Sequence, residues 1–334
     1  MTLETENISE QELRIYCHEC QQKLDVSHLT PFEKIPCPAC SAEIIVPEWF
    51  DSYLLEERCG DGGVAVVYRA LDLTLDREVA IKISSINDST LEFSEIFLHE
   101  GRVAASLNHP GIVPIYSCGE FNGRCFIVMQ YMPRGTLENV IKDKWELKIS
   151  QILQWMLDVT EALKFALDSG IVHHDIKPAN ILVDFDNNVK IGDFGLAYAL
   201  NDIKSEHLQA ELSTFGSPDY VSPEKLTDGY ESTKGDIFSL GVTFYELITG
   251  VKPFKKARED EDILEVRESE PVIPPSSLRF EASNNLSKLI MSMLEKEPSK
   301  RPNYNDILSK LKVLRKKYNK HEDKMLYRFV AKYL

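Results

Sequence analysis

The chain lacks any apolar stretch that approaches the length of a membrane span. Its first residues, Met1-Thr-Leu-Glu-Thr-Glu, are acidic and without an apolar core, so no secretory leader is expected. Positive charge is scarce: 38 Lys and Arg against 53 Asp and Glu leave a formal net charge of −15. That balance argues against a general nucleic-acid-binding surface. Internal repeats and low-complexity tracts are missing too. Seven cysteines, four of them in two close pairs, suit metal binding in a reducing compartment better than a disulfide scaffold. A soluble, cytoplasmic protein is the expectation.

What is present divides unevenly. Residues 1–50 carry nine acidic and three basic side chains, whereas residues 310–334 carry nine basic and two acidic. The basic end reads as the solvated face of a terminal helix. At 334 residues the chain can bury one large two-lobed domain and a small module. Residues 1–13 are polar and expected to be flexible, and residues 14–46 hold the two Cys-x-x-Cys pairs. Pro47 to about Asp51 reads as a short linker. From Tyr53 to about Val128 the pattern is mainly short β-branched strands, broken by one helix near Leu91–Leu107 that Ser89 or Thr90 could cap. Beyond Met132 apolar residues recur at helical spacing over Ile149–Ser169, Ile237–Thr249, Asn284–Leu294 and Tyr304–Lys317. Strands followed by helices imply an α+β fold of two lobes with a cleft between them.

Cys17-x-x-Cys20 and Cys37-x-x-Cys40 stand sixteen residues apart, within the range of a Cys₄ zinc site. Each pair suits a tight turn whose two thiolates point at one ion, and two such turns complete a tetrahedron. The tracts around them look like the two knuckles of a zinc ribbon. Four ligands leave no open position, so the metal is expected to be structural. A rubredoxin-like iron site and four unrelated thiols are the competing readings. The ribbon is acidic, which favours a protein partner over nucleic acid.

The most informative segment is His173-His174-Asp175-Ile176-Lys177-Pro178-Ala179-Asn180, followed thirteen residues later by Asp193-Phe194-Gly195. It places a carboxylate, an ammonium, an amide and a second carboxylate on neighbouring loops. Phosphoryl transfer from ATP needs that set: a base for the acceptor hydroxyl, a cation for the moving phosphate and oxygen ligands for a divalent metal. The segment resembles the catalytic loop and metal-binding triplet of protein kinases, and in particular the bacterial eukaryotic-like Ser/Thr kinases. The resemblance covers about Tyr53–Leu314. It implies a β-rich N-lobe (53–130), an α-rich C-lobe (133–314) and a basic tail (315–334), with the zinc ribbon lying outside.

By that resemblance Asp175 is the catalytic base and Lys177 contacts the γ-phosphate. Asn180 and Asp193 hold Mg²⁺ or Mn²⁺, and Phe194 packs beneath the helix that carries Glu100. Gly60, Gly62 and Gly63 form a glycine-rich turn against the phosphates, with Ala65 where the family has a third glycine. Lys82, in Val79-Ala80-Ile81-Lys82, holds the α and β phosphates and is itself held by Glu100. Val67, Ala80 and Leu182 sandwich the adenine, Met129 is the gatekeeper, and the backbone of Gln130 and Met132 bonds the base.

Lys177-Pro178 and the tract Gly216–Glu224 match the serine/threonine branch, with protein substrates. Ser217 is placed to bond Asp175 and Lys177, Glu224 to pair with Arg301, and Asp236 to cap the catalytic loop. One position departs from the family, His174 for the usual Arg. Imidazole cannot fork onto a phosphorylated side chain as a guanidinium does. Activity is therefore expected to depend little on phosphorylation of the activation segment, although Ser205, Ser213 and Thr214 are candidate autophosphorylation sites. Control would pass to the ribbon, packed on the N-lobe and setting the helix that bears Glu100. A pseudokinase scaffold, suggested by Ala65 and His174, is the alternative reading. A nucleic-acid-binding zinc protein and a small-molecule kinase are more distant ones.

Overall fold

The computed structural model describes residues 13–333 except 63–64, 86–90, 144, 195–217, 229–232, 256–262 and 270, and side chains as far as residue 320. The chain divides into two compact units, one of residues 1–89 and 117–131, the other of residues 90–116 and 132–334.

The first unit begins with two matched hairpins. β1 (Arg14–Tyr16) pairs with β2 (Lys23–Asp25), and β3 (Lys34–Pro36) with β4 (Glu43–Ile45). Strands this short bury little, and each hairpin is closed by its cysteine knuckle. Cys17 N–H donates to Gln22 O at 2.9 Å and Cys37 N–H to Ala42 O at 2.8 Å. Gln21 and Ser41 take the left-handed backbone in equivalent places, with φ of 60° and 64°. Leu13, Val26 and Val46 pack with Leu54 of the following sheet.

That sheet has six strands in the order β5-β6-β7-β8-β10-β9: Glu48–Phe50, Tyr53–Asp61, Ala65–Asp72, Arg77–Ser84, Arg124–Gln130 and Ile115–Phe121. The expected linker is thus an edge strand. Glu48–Phe50 pairs antiparallel with β6 through Asp51, which adopts φ 53° in the connecting turn. Phe50 is the reason: it is buried against Phe121 and Phe126, ring centroids 5.1 and 5.5 Å away, and a buried aromatic in an extended run pairs rather than dangles. One face of the sheet buries Leu55, Tyr68, Ala70, Val79, Ile81, Ile83 and Val128. Strand alternation turns Val67, Ala80, Lys82 and Met129 to the other face.

The second unit is helical. Its core is built on α3 (Ile149–Asp168) and α5 (Thr233–Thr249), with α8 (Asn284–Met293) packed against α5 and α9 (Tyr304–Tyr333) against α3. Its other described helices are α1 (Leu91–Ala105) and α2 (Leu137–Lys142), which precede α3, and α4 (Pro223–Asp228), α6 (Ile263–Ser269) and α7 (Pro275–Leu278). A two-stranded hairpin, β11 (Ile181–Val183) and β12 (Val189–Ile191), carries the loops of interest. The last helix runs well past Lys317, because its charged residues are good helix formers and neither Gly nor Pro interrupts them. No helix among the described residues is long and apolar enough to cross a membrane.

Candidate active site

In the first unit the sheet sets the candidate nucleotide residues side by side. Lys82 lies opposite Val67 on one neighbouring strand and Ile127 on the other, and Met129 lies opposite Ala80. Lys82 is buried, an expensive place for an ammonium and one where lysine is found only with partners. The β6–β7 hairpin ends in the glycine-rich turn. Gly62 N–H donates to Ala65 O at 3.0 Å, and a Cβ on Gly62 would meet that same oxygen at 3.1 Å, so a side chain there would press the turn apart by a few tenths of an ångström. Gly63 lies outside the described residues.

In the second unit the hairpin β11–β12 joins two loops at its open end. Asn180 immediately precedes Ile181 and Gly192 immediately follows Ile191, the strand partner of Ile181. Gly192 N–H donates to Asn180 O at 2.9 Å, and the His173 ring bonds Gly192 O through Nε2 at 2.9 Å. Nδ1 of the same ring accepts the Asp175 N–H at 3.3 Å, which leaves Nε2 as the donor to Gly192 O. Asp236, buried at the start of α5, accepts the N–H of His173 at 3.0 Å and of His174 at 2.8 Å. His174 sits at φ 63°, the conformation in which its N–H and that of His173 converge on one carboxylate.

The turn this creates concentrates polar atoms on Asp175. Oδ2 accepts Lys177 Nζ at 2.8 Å and Asn180 Nδ2 at 3.0 Å, and Asn180 Nδ2 also reaches Asp175 O at 2.8 Å. Among the described residues no hydrogen bond to the other carboxylate oxygen is found. The Asn180 amide spends its nitrogen on the loop. Asp193 adopts φ 59° one residue after Gly192, and Phe194 is buried with its ring 4.6 Å from that of His173.

Residues 53–311 match the family model described as protein kinase domain. The chain belongs to the protein kinase family. The kinase is similar to serine/threonine-protein kinase PrkC of Bacillus subtilis, 38% identical over 72% of this chain and 36% of that one. It is also similar to a probable serine/threonine-protein kinase of Clostridium acetobutylicum, 35% identical over 80% of this chain and 40% of that one. Serine/threonine-protein kinase PknB of Mycobacterium leprae is 33% identical over 76% of this chain and 41% of its own. The chain therefore spans about two fifths of the length of these curated relatives.

Beyond the catalytic loop the kinase fold brings Glu224 and Arg301 together in a two-bond fork. Burial acts to raise the Glu224 carboxyl, and the Arg301 hydrogen bonds outweigh it, leaving the group below its ordinary value. Sequence reasoning missed Arg267 on α6. Its guanidinium donates to Val221 O at 2.6 Å and to Pro218 O, and stacks over Phe254 at 5.1 Å. Burial pulls Arg267 down to about 10. It thereby clamps the Pro218–Val221 turn from below. Tyr220, within that turn, donates to Glu246 Oε2 at 2.5 Å. The candidate phosphosites Ser205, Ser213 and Thr214, and Ser217, lie outside the described residues, so their placement is a matter for experiment.

The four knuckle sulfurs lie within 4.8 Å of one another. Cys17 and Cys40 Sγ are 3.6 Å apart and Cys20 and Cys37 Sγ 3.7 Å. A disulfide would bring them to about 2.05 Å, whereas the edge of a ZnS₄ tetrahedron with Zn–S of about 2.3 Å is about 3.8 Å. The spacing fits a metal. The N–H of Ala39, pointed at Cys37 Sγ, draws that thiol down to about 7. Cys40, despite the Ala42 N–H, is pushed up to about 12 by crowding from the other thiols, a mutual repulsion that a bound cation would relieve. Both hairpins present N–H groups in this way, at Cys17 and at Cys37, and such donors would offset the excess negative charge of four thiolates on a divalent ion.

Proposed function

We propose that this chain is an ATP-dependent protein serine/threonine kinase with a structural zinc at Cys17, Cys20, Cys37 and Cys40. The observation that carries the reading is the state of Asp175. Lys177 and Asn180 both bond one of its oxygens, which fixes the orientation of the carboxylate, and we assign the other oxygen to the acceptor hydroxyl. A serine or threonine hydroxyl donating to that oxygen becomes a better nucleophile as its proton moves to Asp175. Lys177 stands on the same carboxylate and offsets charge on the moving phosphoryl group.

A divalent metal held by Asn180 and Asp193 supplies charge neutralisation to the phosphates. Mg²⁺ is the ion of choice for that oxygen pair, with Mn²⁺ able to replace it. Gly60, Gly62 and Gly63, with Lys82 held by Glu100, hold the nucleotide phosphates. Val67, Ala80, Met129, Gln130, Met132 and Leu182 receive the adenine. Residues 53–314 would carry the activity and residues 14–46 the structural metal. Similarity to relatives named serine/threonine-protein kinases supports the acceptor class.

The test is transfer of labelled γ-phosphate to protein substrates and to the chain itself, comparing the natural sequence with Asp175→Ala and Lys82→Met. Loss of transfer in both, by at least about a hundredfold, is expected. Undiminished transfer in Asp175→Ala would remove the assignment of the base.

A further inference from the structure

Phe32 lies in the loop between the two zinc hairpins, and beside the Leu13, Val26 and Val46 contact with Leu54 it is a second point at which the ribbon meets the sheet. Its ring stacks on Tyr68 of β7, centroids 5.3 Å apart and planes inclined by 28°. Arg58 of β6 lies over the Phe32 ring at 5.1 Å and over the Tyr68 ring at 5.9 Å. Arg58 and Tyr68 are direct cross-strand partners. The next pair toward the turn is Gly60 with Val67, after a register shift between Arg58 and Gly60. The ribbon therefore holds the β6–β7 hairpin at the last regular pair before the bulge that leads into the glycine-rich turn. It does so from the face opposite Val67, Ala80 and Lys82.

The backbone supports a purpose for this contact. Phe32 has φ 64°, in the left-handed region that a bulky side chain seldom adopts. Its N–H is fixed to Val46 O at 2.7 Å, so the strained residue belongs to the folded ribbon. Asparagine or glycine would suit that backbone better. A phenylalanine there is worse for the ribbon and better for the sheet, because the ring gains an aromatic and a cationic partner outside its own module.

We propose that Phe32 and Arg58 are positioning residues for nucleotide binding: the metal-ordered ribbon uses them to brace the hairpin that carries the glycine-rich turn. A bulged, glycine-ended hairpin has many conformations open to it, and a nucleotide must select one of them. A ring wedged beside the Arg58–Tyr68 pair removes part of that freedom in advance. This rests on the kinase reading above, and it adds that a module outside the matched family segment contributes to ATP affinity.

The experiment is direct titration of the full chain with a Mg²⁺–ATP analogue, alongside zinc content and steady-state kinetics. Phe32→Asn relieves the backbone and deletes the ring. It should keep one equivalent of zinc while weakening nucleotide affinity about three- to tenfold, the loss of one aromatic and one cation–π contact. KM for ATP should rise by the same factor, with kcat and KM for the protein substrate unchanged. Phe32→Trp should restore affinity. Arg58→Gln tests the same contact from the sheet, outside the ribbon altogether, and should match Phe32→Asn. A zinc-loaded Phe32→Asn or an Arg58→Gln with unaltered affinity overturns the proposal and leaves the kinase reading standing. Absence of nucleotide binding in the natural sequence would overturn both.

Discussion

Arg301 grips Glu224 with two parallel hydrogen bonds, Nη1 to Oε1 at 2.7 Å and Nη2 to Oε2 at 2.8 Å, from a side chain with no solvent exposure. The remaining guanidinium donors go to the carbonyls of Glu295, Lys234 and Lys296, and Phe238 lies 4.9 Å beneath. Every donor is satisfied, so the ion pair is held rather than merely tolerated. Glu224→Ala leaves that cation buried without its counter-charge and should cost about 3–5 kcal/mol in urea denaturation. Arg301→Lys should recover little, since an ammonium cannot form the fork. Because the folded-state carboxyl lies below its ordinary 4.5, its contribution is complete above that value and is lost as pH falls through the folded value. Glu224→Gln should flatten that part of the acid limb of a stability–pH curve.

Asp236 offers a second test. Its two oxygens each accept one N–H, from His173 and His174. Asn at this position has one acceptor and turns an NH₂ toward the other N–H. Asp236→Asn should lower kcat by about ten- to a hundredfold, the loss of about 1–3 kcal/mol when a buried donor is orphaned. Nucleotide affinity, measured by titration, should be unchanged.

Arg267→Met removes the clamp beneath Pro218–Val221 and leaves two carbonyls without their donor. If that turn belongs to the substrate-binding segment, KM for a protein substrate should rise severalfold and KM for ATP should not. An equal rise in both would assign Arg267 to general stability alone.

His174 bears on regulation. With histidine in place of arginine, Ser213→Ala combined with Thr214→Ala should change kcat by less than about tenfold. His174→Arg should make activity sensitive to the same pair of substitutions, because a guanidinium can fork onto a phosphate. A collapse of kcat in the double alanine variant with His174 intact would contradict this.

Metal removal completes the set. Chelation, or Cys37→Ser, should lower the melting temperature, and added zinc should raise it in a concentration-dependent way, the added stability reaching about 2.7 kcal/mol when free zinc is a hundredfold above Kd. Scanning calorimetry with metal analysis reads both.

The cluster of Asp175, Lys177 and Asn180 was legible in the sequence because its contacts are local: the three stand within six residues and meet through short-range bonds. The cysteine quartet was legible for the same reason. Arg267 was not, since its partners Pro218 and Val221 lie 49 and 46 residues away and nothing near it in α6 signals them. The strand Glu48–Phe50 escaped because three residues are too few to show alternation. The last helix was read only as far as its apolar stripe extends. Leu311 and Leu314 are buried, and Tyr318 packs on the same core and donates to Glu281 O, a contact that the apolar spacing does not signal.

That short strand has a practical consequence. The segment matched to the family begins at Tyr53, the first residue of β6, yet β6 is paired along its outer side by Glu48–Phe50. A chain trimmed to the matched boundary would present β6 with a row of open amides and carbonyls, and would uncover the rings that Phe50 shields. Such an edge recruits other strands, including its own copies. Trimmed at Tyr53 the kinase should self-associate, while trimming at Pro47 should keep it dispersed. Where the catalytic domain is taken to start thus decides its colloidal behaviour as well as its content.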